Sequence, residues 1–366
     1  PCAAAAGLGR AGFMGGAAVA EPSEATMPNE FLRLNLALQG GGSHGAFTWG
    51  VLDALLEDGR LDFEGISGTS AGAMNAVALA QGFAQAAQEY TDPQEARLAG
   101  AVLARTTLTR LWEGVGALGG LSWGAPLSQA FPALQMMTQW LAPAQANPLD
   151  INPLRRLLER VVDFDLLCAT RKAVPQVFVC ATNVRTGRGE IFAGPRLSAD
   201  AVMASACLPL LFKAVEIDGD RYWDGGYSGN PALHPLIYQT ECSDILLVQI
   251  NPIEHLGVPD TVPEIMDRMN EVTFNASLLA ELRAIEFVRR LLAEGKLDPR
   301  RYKDVRMHRI DGGSVLAGMG FASKARADLG FLRQLFTLGR TAGLQWLAAH
   351  RPDVGVRASL NLAHNA

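Results

Sequence analysis

Two short apolar runs, each followed at once by a glycine-containing turn and a helical pattern, constrain the fold of this chain more than any other feature. The first run covers residues 34–38 and precedes a helical pattern over 46–57. The second covers 63–67 and precedes a helical pattern that begins at Ala71. Strands that alternate with helices in this way favour an α/β fold with a mostly parallel sheet.

Further along the chain, residues 177–182 and 245–250 are continuous apolar runs, typical of strands buried on both faces. Residues 263–294 and 325–350 carry long amphipathic helical patterns. We therefore expect an α/β fold with a mostly parallel central sheet. The expected organisation is an N-terminal tail over 1–30, a core over 31–250 with an insertion at 114–149, and a C-terminal helical part over 251–366.

The most informative motif is Gly-Thr-Ser-Ala-Gly at residues 68–72, a G-x-S-x-G between a predicted strand and a predicted helix. A serine on such a sharp turn sits in strained backbone, and side chains at Gly68 and Gly72 would clash with neighbouring chain. The turn exposes the hydroxyl of Ser70, and the following helix directs its positive end towards developing negative charge. The motif predicts that Ser70 is a nucleophile.

A glycine-rich loop, Gly-Gly-Gly-Ser-His-Gly at residues 40–45, follows the first strand and has two functional interpretations. It matches the G-x-G-x-x-G pattern of dinucleotide-binding folds, which would make the chain a nucleotide binder. Consecutive glycines also allow backbone N–H groups to converge on the oxygen of a tetrahedral intermediate. The serine turn 28 residues after Gly42 favours this oxyanion interpretation. The candidate oxyanion residues are Gly40, Gly41, Gly42, Gly45 and Ala71.

The serine needs a base, and an aspartate in a desolvated cleft can accept its proton directly when its pKa is raised. Asp224 is the candidate, with Gly225 and Gly226 allowing a close approach to the serine turn. The chain has a second Asp-Gly-Gly at residues 311–313. Asn230-Pro231, which follows only the first of these motifs, distinguishes Asp224 from Asp311.

Together these motifs resemble, in order, those of the patatin-like phospholipases. That family has a glycine-rich oxyanion loop, a G-x-S-x-G turn and a D-G-G or D-G-A aspartate, and it works with a Ser–Asp dyad. Residues 204–212 are similar to its A-S-x-A-x-P-x-x-F segment, and 181–187 to its T-D-x-x-T-G strand end. The resemblance covers residues 32–250. It implies a three-layer α/β/α fold, a catalytic core over 31–250, and a hydrolase of lipid esters that uses neither metal nor cofactor.

The sequence departs from the family pattern at His44, where the family has Arg or Lys. His44 could carry a second proton or anchor the loop by a hydrogen bond. Asn183 also replaces an aspartate that is common in the family. A Ser–His–Asp triad is a further alternative, with histidines available at 234, 255, 308, 350 and 364.

Residues 114–149 contain no charged side chain, and prolines exclude one continuous membrane span. This segment is either a lid that meets lipid or an insertion packed on the core. The candidate substrate-contacting residues are Trp112, Trp123, Phe131, Met137 and Trp140.

Composition limits the partners of the chain. Its 366 residues are 49% hydrophobic and carry a net charge of −5, which gives no support for nucleic-acid binding. The scattered cysteines predict neither a disulfide framework nor a metal site. We expect a lipid or membrane-surface substrate, with the C-terminal helices as candidates for a homo-oligomer contact. The expected location is the cytoplasm or the membrane periphery; a weak leader-like pattern over residues 10–20 makes secretion the lesser alternative.

The resulting prediction is a serine lipid acyl hydrolase of the phospholipase A or lysophospholipase type, with Ser70 as nucleophile and Asp224 as base. An esterase or acyltransferase acting on another ester would use the same groups. A lipid-binding module with an inactive site is the alternative outside the enzyme class.

Overall fold

One mixed sheet forms the centre of the protein in a computed structural model that describes residues 31–119, 152–209, 211–254, 257–319 and 321–365. Its strands are β1 (Leu32–Leu38), β2 (Leu61–Gly68), β3 (Gln176–Asn183), β4 (Gly189–Ala193), β5 (Val215–Ile217), β6 (Asp220–Asp224), β7 (Asp244–Gln249) and β8 (Arg306–Asp311). Their order is β5-β6-β3-β2-β1-β7-β8, with β4 also paired to β3. The runs at 34–38, 63–67, 177–182 and 245–250 are thus confirmed as strands.

The parallel part of the sheet brings the ends of three strands together. β1 pairs in parallel with β2 and with β7, and Leu38 lies opposite both Gly68 and Val248. The loops that leave β1, β2 and β7 therefore begin side by side at one edge. β6 runs antiparallel to β3, and its last residue, Asp224, lies opposite Ala181.

Helices surround the sheet: α1 (Gly45–Asp58), α2 (Ala71–Glu89), α3 (Pro93–Gly119), α4 (Pro153–Val161), α5 (Phe164–Thr170), α6 (Ala199–Ser205), α7 (His234–Tyr238), α8 (Val262–Ala293), α9 (Gly313–Leu316), α10 (Leu329–His350) and α11 (Leu362–Asn365). No helix among the described residues is long and apolar enough to cross a membrane.

Alternating side chains of the strands supply two separate cores. Leu36 and Leu38 of β1 belong to the larger core, which α1, α2, α3 and α10 complete. Ala37, between them, belongs to a smaller core on the other face, where it meets Leu278 and Leu282 of α8. This alternation follows from the two-residue period of a strand, and it confirms the expected three layers.

The C-terminal part contributes more than helices. β8 extends the sheet by pairing in parallel with β7, and residues from Leu32 onward form one compact unit. The helix expected from residue 325 begins at Leu329, because the side chain of Asp328 caps it by accepting a 2.9 Å hydrogen bond from the N–H of Phe331. The segment Phe321–Ala325 is a separate 3₁₀ turn. The proposed tail at 1–30 lies outside the described residues.

Candidate active site

Ser70 occupies the turn between β2 and α2 with a strained backbone, at φ 54° and ψ −120°. An L-residue with positive φ is costly and persists only where its surroundings enforce it. A Cβ on Gly72 would collide with the carbonyl oxygen of Leu38, and one on Gly68 would lie 2.5 Å from the Gly72 oxygen. Both flanking positions therefore need glycine, as the sequence predicts.

Neighbouring segments hold this turn from two sides. The N–H of Ser70 donates to the hydroxyl of Ser205 at 2.9 Å, and that hydroxyl donates to the Cys180 carbonyl at 2.6 Å. The Thr69 hydroxyl donates to the Gly229 carbonyl at 2.6 Å. The turn is thus tied to β3 and to the segment that follows Asp224.

Asp224 lies at the end of β6 and is almost fully buried, with 1% of its surface exposed. Its carboxylate accepts a 2.7 Å hydrogen bond from the Gly226 N–H, and the Ser70 hydroxyl lies near enough to influence its pKa. Burial raises the pKa of Asp224 to about 7, although the Gly226 N–H and the Ser70 hydroxyl both act to lower it. The structure therefore brings Ser70 together with a carboxylate that can take up a proton near neutral pH.

The glycines beside Asp224 make this approach possible. A Cβ on Gly225 would collide with the Cys180 carbonyl, and one on Gly226 would lie 2.9 Å from the ring of Phe274. The other Asp-Gly-Gly joins β8 to α9, and its Asp311 accepts a 3.2 Å hydrogen bond from the Ser314 N–H and is 39% exposed.

The glycine loop lies directly against the serine, since a Cβ on Gly40 would be 2.8 Å from the Cβ of Ser70. Two of its candidate oxyanion donors are engaged elsewhere. The Gly40 N–H donates to the Asn230 side chain at 2.6 Å, and the Gly45 N–H turns back to the carbonyls of Gly42 and Ser43. Gly40 and Gly45 therefore shape the loop without serving as donors, which corrects their expected role.

The remaining candidate donors are the N–H groups of Gly41, Gly42 and Ala71. None of the three has a hydrogen-bond acceptor within the part of the chain that the structure describes. They follow β1 and Ser70 at the same edge of the sheet. These N–H groups are thus available to an oxygen bound beside Ser70.

A buried amide network that sequence reasoning missed supports the glycine loop. The Gln39 carbonyl oxygen Oε1 accepts from the N–H groups of Ile250 and Asn251, both at 2.8 Å. The side chain of Asn251 donates to the Gly40 carbonyl at 2.7 Å, and Asn230 donates to the same carbonyl at 3.4 Å. Asn230 and Asn251 are both fully buried, and each precedes a proline. Asn-Pro also occurs at residues 147–148 and 152–153, so this dipeptide alone does not single out Asn230 and Asn251.

His44 is buried in the same loop, and its Nε2 lies 2.6 Å from the hydroxyl of Ser323. Burial, together with the charge of Lys324, lowers the pKa of His44 to about 4. The imidazole is neutral at physiological pH, which favours a loop-anchoring role over that of a proton carrier.

Among the described side chains no histidine hydrogen-bonds to Ser70, and the one Ser–His–Asp chain is centred on the fully buried His308 where β7 begins, away from the serine turn. His308 lies between Asp244 and Ser359, at 3.0 Å from each. His234 faces Glu281, and His350 faces Asp353. His255 and the side chain of His364 lie outside the described residues.

Trp112 in α3 is buried and joins the helices around the site. Its ring N–H donates to the Asn75 side chain at 2.8 Å, and Asn75 donates to the Gly45 carbonyl at 3.0 Å. This position favours a structural role for Trp112. Residues 114–119 form the end of α3, whereas the other lid candidates, Trp123, Phe131, Met137 and Trp140, lie outside the described residues.

A cavity of about 1250 Å³ lies elsewhere, at the opposite edge of the sheet beside the start of β2. It is lined by Phe63, Phe83, Arg97 and Val174, among others, and does not include the serine turn. Across the described residues, no three His, Cys, Asp or Glu side chains group in a way that could hold a metal ion.

Comparisons with known proteins identify the family of the chain. A family model described as patatin-like phospholipase matches residues 36–237. Solved structures similar to the chain include VipD from Legionella pneumophila, at 17% identity over 84% of this chain and 67% of that one, with a TM-score of 0.35. Another is full-length ExoU of Pseudomonas aeruginosa in complex with SpcU, at 17% identity and a TM-score of 0.29. The match covers 84% of this chain and 53% of that one, so it spans about half the length of the other chain. No curated protein matches the chain.

Proposed function

We propose that this chain, which belongs to the patatin-like phospholipase family, hydrolyses fatty-acyl esters through an acyl-enzyme on Ser70, with Asp224 as the base. The observation that carries the proposal is the position of the strained Ser70 turn beside a buried Asp224, whose pKa burial raises to about 7 and the Ser70 hydroxyl acts to lower. A carboxylate with an ordinary pKa is a weak base, and matching its pKa to the working pH makes direct proton transfer effective.

In the first half of the reaction, the Ser70 oxygen bonds to the acyl carbon while its proton passes to Asp224. The carbonyl electrons move onto oxygen, which gives a tetrahedral oxyanion. When this intermediate collapses, the bond to the alcohol oxygen breaks, and that oxygen takes the proton from Asp224. The acyl group is then an ester of Ser70, and Asp224 is ionised again.

In the second half, a water molecule attacks the acyl-enzyme and transfers its proton to Asp224. Collapse of the second tetrahedral intermediate breaks the bond to the Ser70 oxygen, which recovers the proton. The fatty acid leaves, and the enzyme returns to its starting state. Each half of the reaction uses Asp224 once as a base and once as an acid.

The oxyanion in both halves would accept hydrogen bonds from the backbone N–H groups of Gly41, Gly42 and Ala71. Fixed donors of this kind stabilise charge that develops only in the transition state, and losing one typically lowers kcat about 100- to 1000-fold. The start of α2 directly after Ser70 adds the positive end of a helix.

The proposed substrates are phospholipids, lysophospholipids or other acylglycerols presented at a lipid surface. This class follows from the family and from the uncharged 114–149 segment. The cytoplasm or the membrane periphery remains the proposed location.

The test is hydrolysis of a medium-chain p-nitrophenyl ester and of phospholipid in mixed micelles by Ser70→Ala and Asp224→Asn. The matched controls are Ser314→Ala and Asp311→Asn, because they change the same residue types in the second Asp-Gly-Gly turn. We expect both site variants to lose at least about 1000-fold in kcat while remaining folded, and both controls to keep wild-type activity. Full activity in folded Ser70→Ala would disprove the assignment of the nucleophile.

A further inference from the structure

The glycine loop over residues 40–45 contains no Lys or Arg, and its one ionisable side chain, His44, is neutral at physiological pH. A cation nevertheless reaches this loop from the C-terminal part of the chain. Lys324, in the 3₁₀ turn Phe321–Ala325, influences His44 electrostatically and is one cause of its lowered pKa. The positive charge of Lys324 therefore acts electrostatically on a residue inside the loop.

The turn that carries Lys324 contacts both halves of the loop. The backbone carbonyl of Lys324 closes on Gly42, where a Cβ would collide with it. The hydroxyl of the preceding residue, Ser323, lies 2.6 Å from the ring of His44. Gly42 also has a φ of +58°, so the close contact and the backbone conformation both require glycine there.

The ammonium group of Lys324 is linked to the loop through one side chain. It donates to the Asn251 side-chain oxygen at 2.7 Å, and the amide nitrogen of Asn251 donates to the carbonyl of Gly40, also at 2.7 Å. That carbonyl shares a peptide plane with the N–H of Gly41. In a trans peptide the two groups point in opposite directions, so a partner that holds the carbonyl also aims the N–H.

We propose that Lys324 is a positioning residue for the oxyanion hole, acting through Asn251 and the Gly40 carbonyl to orient and polarise the N–H of Gly41. This inference rests on the proposed function of Ser70 and Asp224. A cation at the head of a chain of hydrogen bonds strengthens each donor along it. Lys324 thus increases the positive charge that the Gly41 N–H presents to the oxyanion, without touching the substrate.

The first experiment compares Lys324→Met with Lys324→Arg, and uses Lys172→Met as the control. Lys172 is an exposed lysine that lines the cavity at the opposite edge of the sheet. We expect Lys324→Met to lower kcat on the p-nitrophenyl ester about tenfold with KM within about twofold of wild type. Lys324→Arg keeps the charge and restores most of kcat, and Lys172→Met has no effect.

A double-mutant cycle tests the route through Asn251. Because Lys324 acts through this amide, Lys324→Met combined with Asn251→Ala lowers kcat little further than Asn251→Ala alone. Fully multiplicative effects of the two substitutions on kcat would overturn the linked mechanism.

Hydrogen exchange gives a readout that does not depend on turnover. In Lys324→Met, a peptide covering residues 39–48 is expected to exchange faster than in wild type, whereas Lys172→Met leaves it unchanged. If Ser70→Ala hydrolyses esters as fast as wild type while Lys324→Met still loosens this peptide, the proposed function fails and the positioning of the loop by Lys324 stands.

Two further results would overturn the inference while leaving Ser70 and Asp224 in place. One is an unchanged kcat together with unchanged loop exchange in Lys324→Met. The other is an equal loss of kcat in Lys324→Met and Lys324→Arg, because the charge would then have no part in the effect.

Discussion

Asn230 binds both polar groups of Gly40: its side-chain oxygen accepts from the Gly40 N–H at 2.6 Å, and its amide nitrogen donates to the Gly40 carbonyl at 3.4 Å. Asn230 follows Asp224 by six positions, whereas Gly40 follows the first strand. One buried side chain thus joins the loop proposed to hold the oxyanion to the loop that carries the proposed base.

Replacing Asn230 with Ala is expected to lower both stability and activity. The buried N–H of Gly40 loses its acceptor, which costs about 1–3 kcal/mol of unfolding free energy. The loop also loses its link to the Asp224 segment, so kcat falls while KM changes little. Urea unfolding and ester hydrolysis measure the two effects, with the exposed Gln176→Ala as the control. Wild-type values of both quantities in folded Asn230→Ala would contradict the proposed link.

The raised pKa of Asp224 predicts how activity depends on pH. Only the ionised carboxylate can accept the Ser70 proton, so kcat/KM should rise with pH and level off above an apparent pKa of about 7. Measuring kcat/KM for ester hydrolysis between pH 5 and 9 tests this rise and plateau. A profile that is already flat at pH 5 would mean that Asp224 is not the titrating base.

The same group should make the folded protein less stable as pH rises. The pKa of Asp224 is higher in the folded state than in the unfolded chain, so the folded state holds the proton more tightly. Its contribution to stability is complete below the unfolded pKa of about 4 and is lost as pH rises through about 7. Asp224→Asn removes this dependence and should stabilise the protein relative to wild type at pH 8, by up to about 4 kcal/mol. If the difference in unfolding free energy between Asp224→Asn and wild type is the same at pH 4.5 and pH 8, Asp224 does not contribute to stability in this way.

The opposite sign holds for Asp244. Burial acts to raise its pKa, but hydrogen bonds from His308, Arg306 and the Gly355 N–H outweigh burial and lower the pKa to about 2. Its stabilising contribution is present above pH 4 and is lost as pH falls towards 2. Asp244→Ala should therefore destabilise the protein by about 2–3 kcal/mol at pH 7. It should also reduce the loss of unfolding free energy as pH falls towards 2. The exposed Asp304→Ala serves as the control and should change stability by less than about 1 kcal/mol.

Substitution of Gly72 by Ala tests the requirement of the serine turn for close backbone contact. The added methyl group would overlap the Leu38 carbonyl at the end of β1, so we expect a loss of about 3 kcal/mol or more in unfolding free energy. Gly318→Ala is the matched control, because its added methyl group would meet open space. A folded Gly72→Ala with wild-type stability and activity would show that the turn can relax.

The sequence was most informative where a property is local. The strand–turn–helix around Ser70 and the glycines beside Asp224 follow from short-range backbone sterics, and the structure places both as expected. β8 was missed because its polar and apolar side chains alternate and its buried His308 is paired with Asp244. A continuous apolar run, the signal used to predict β1, β2, β3 and β7, is absent from it, and the short strands β4, β5 and β6 were not predicted either.

Hydrogen-bond partners were the least predictable part of the site. Nothing around Gly40 in the sequence indicates that its N–H donates to Asn230, 190 positions away. Asn251 and Lys324 reach the same loop from further along the chain. Which donor meets which acceptor depends on how the segments pack, and periodicity carries no information about that choice.

The contact between Gly42 and the backbone of Lys324 has a consequence for the order in which the candidate site is assembled. During synthesis the glycine loop leaves the ribosome first, with the serine turn shortly behind it. The segment that closes on Gly42 follows only after more than 250 further residues. A growing chain would therefore carry Ser70 long before the segment that closes on the neighbouring glycine loop has been made.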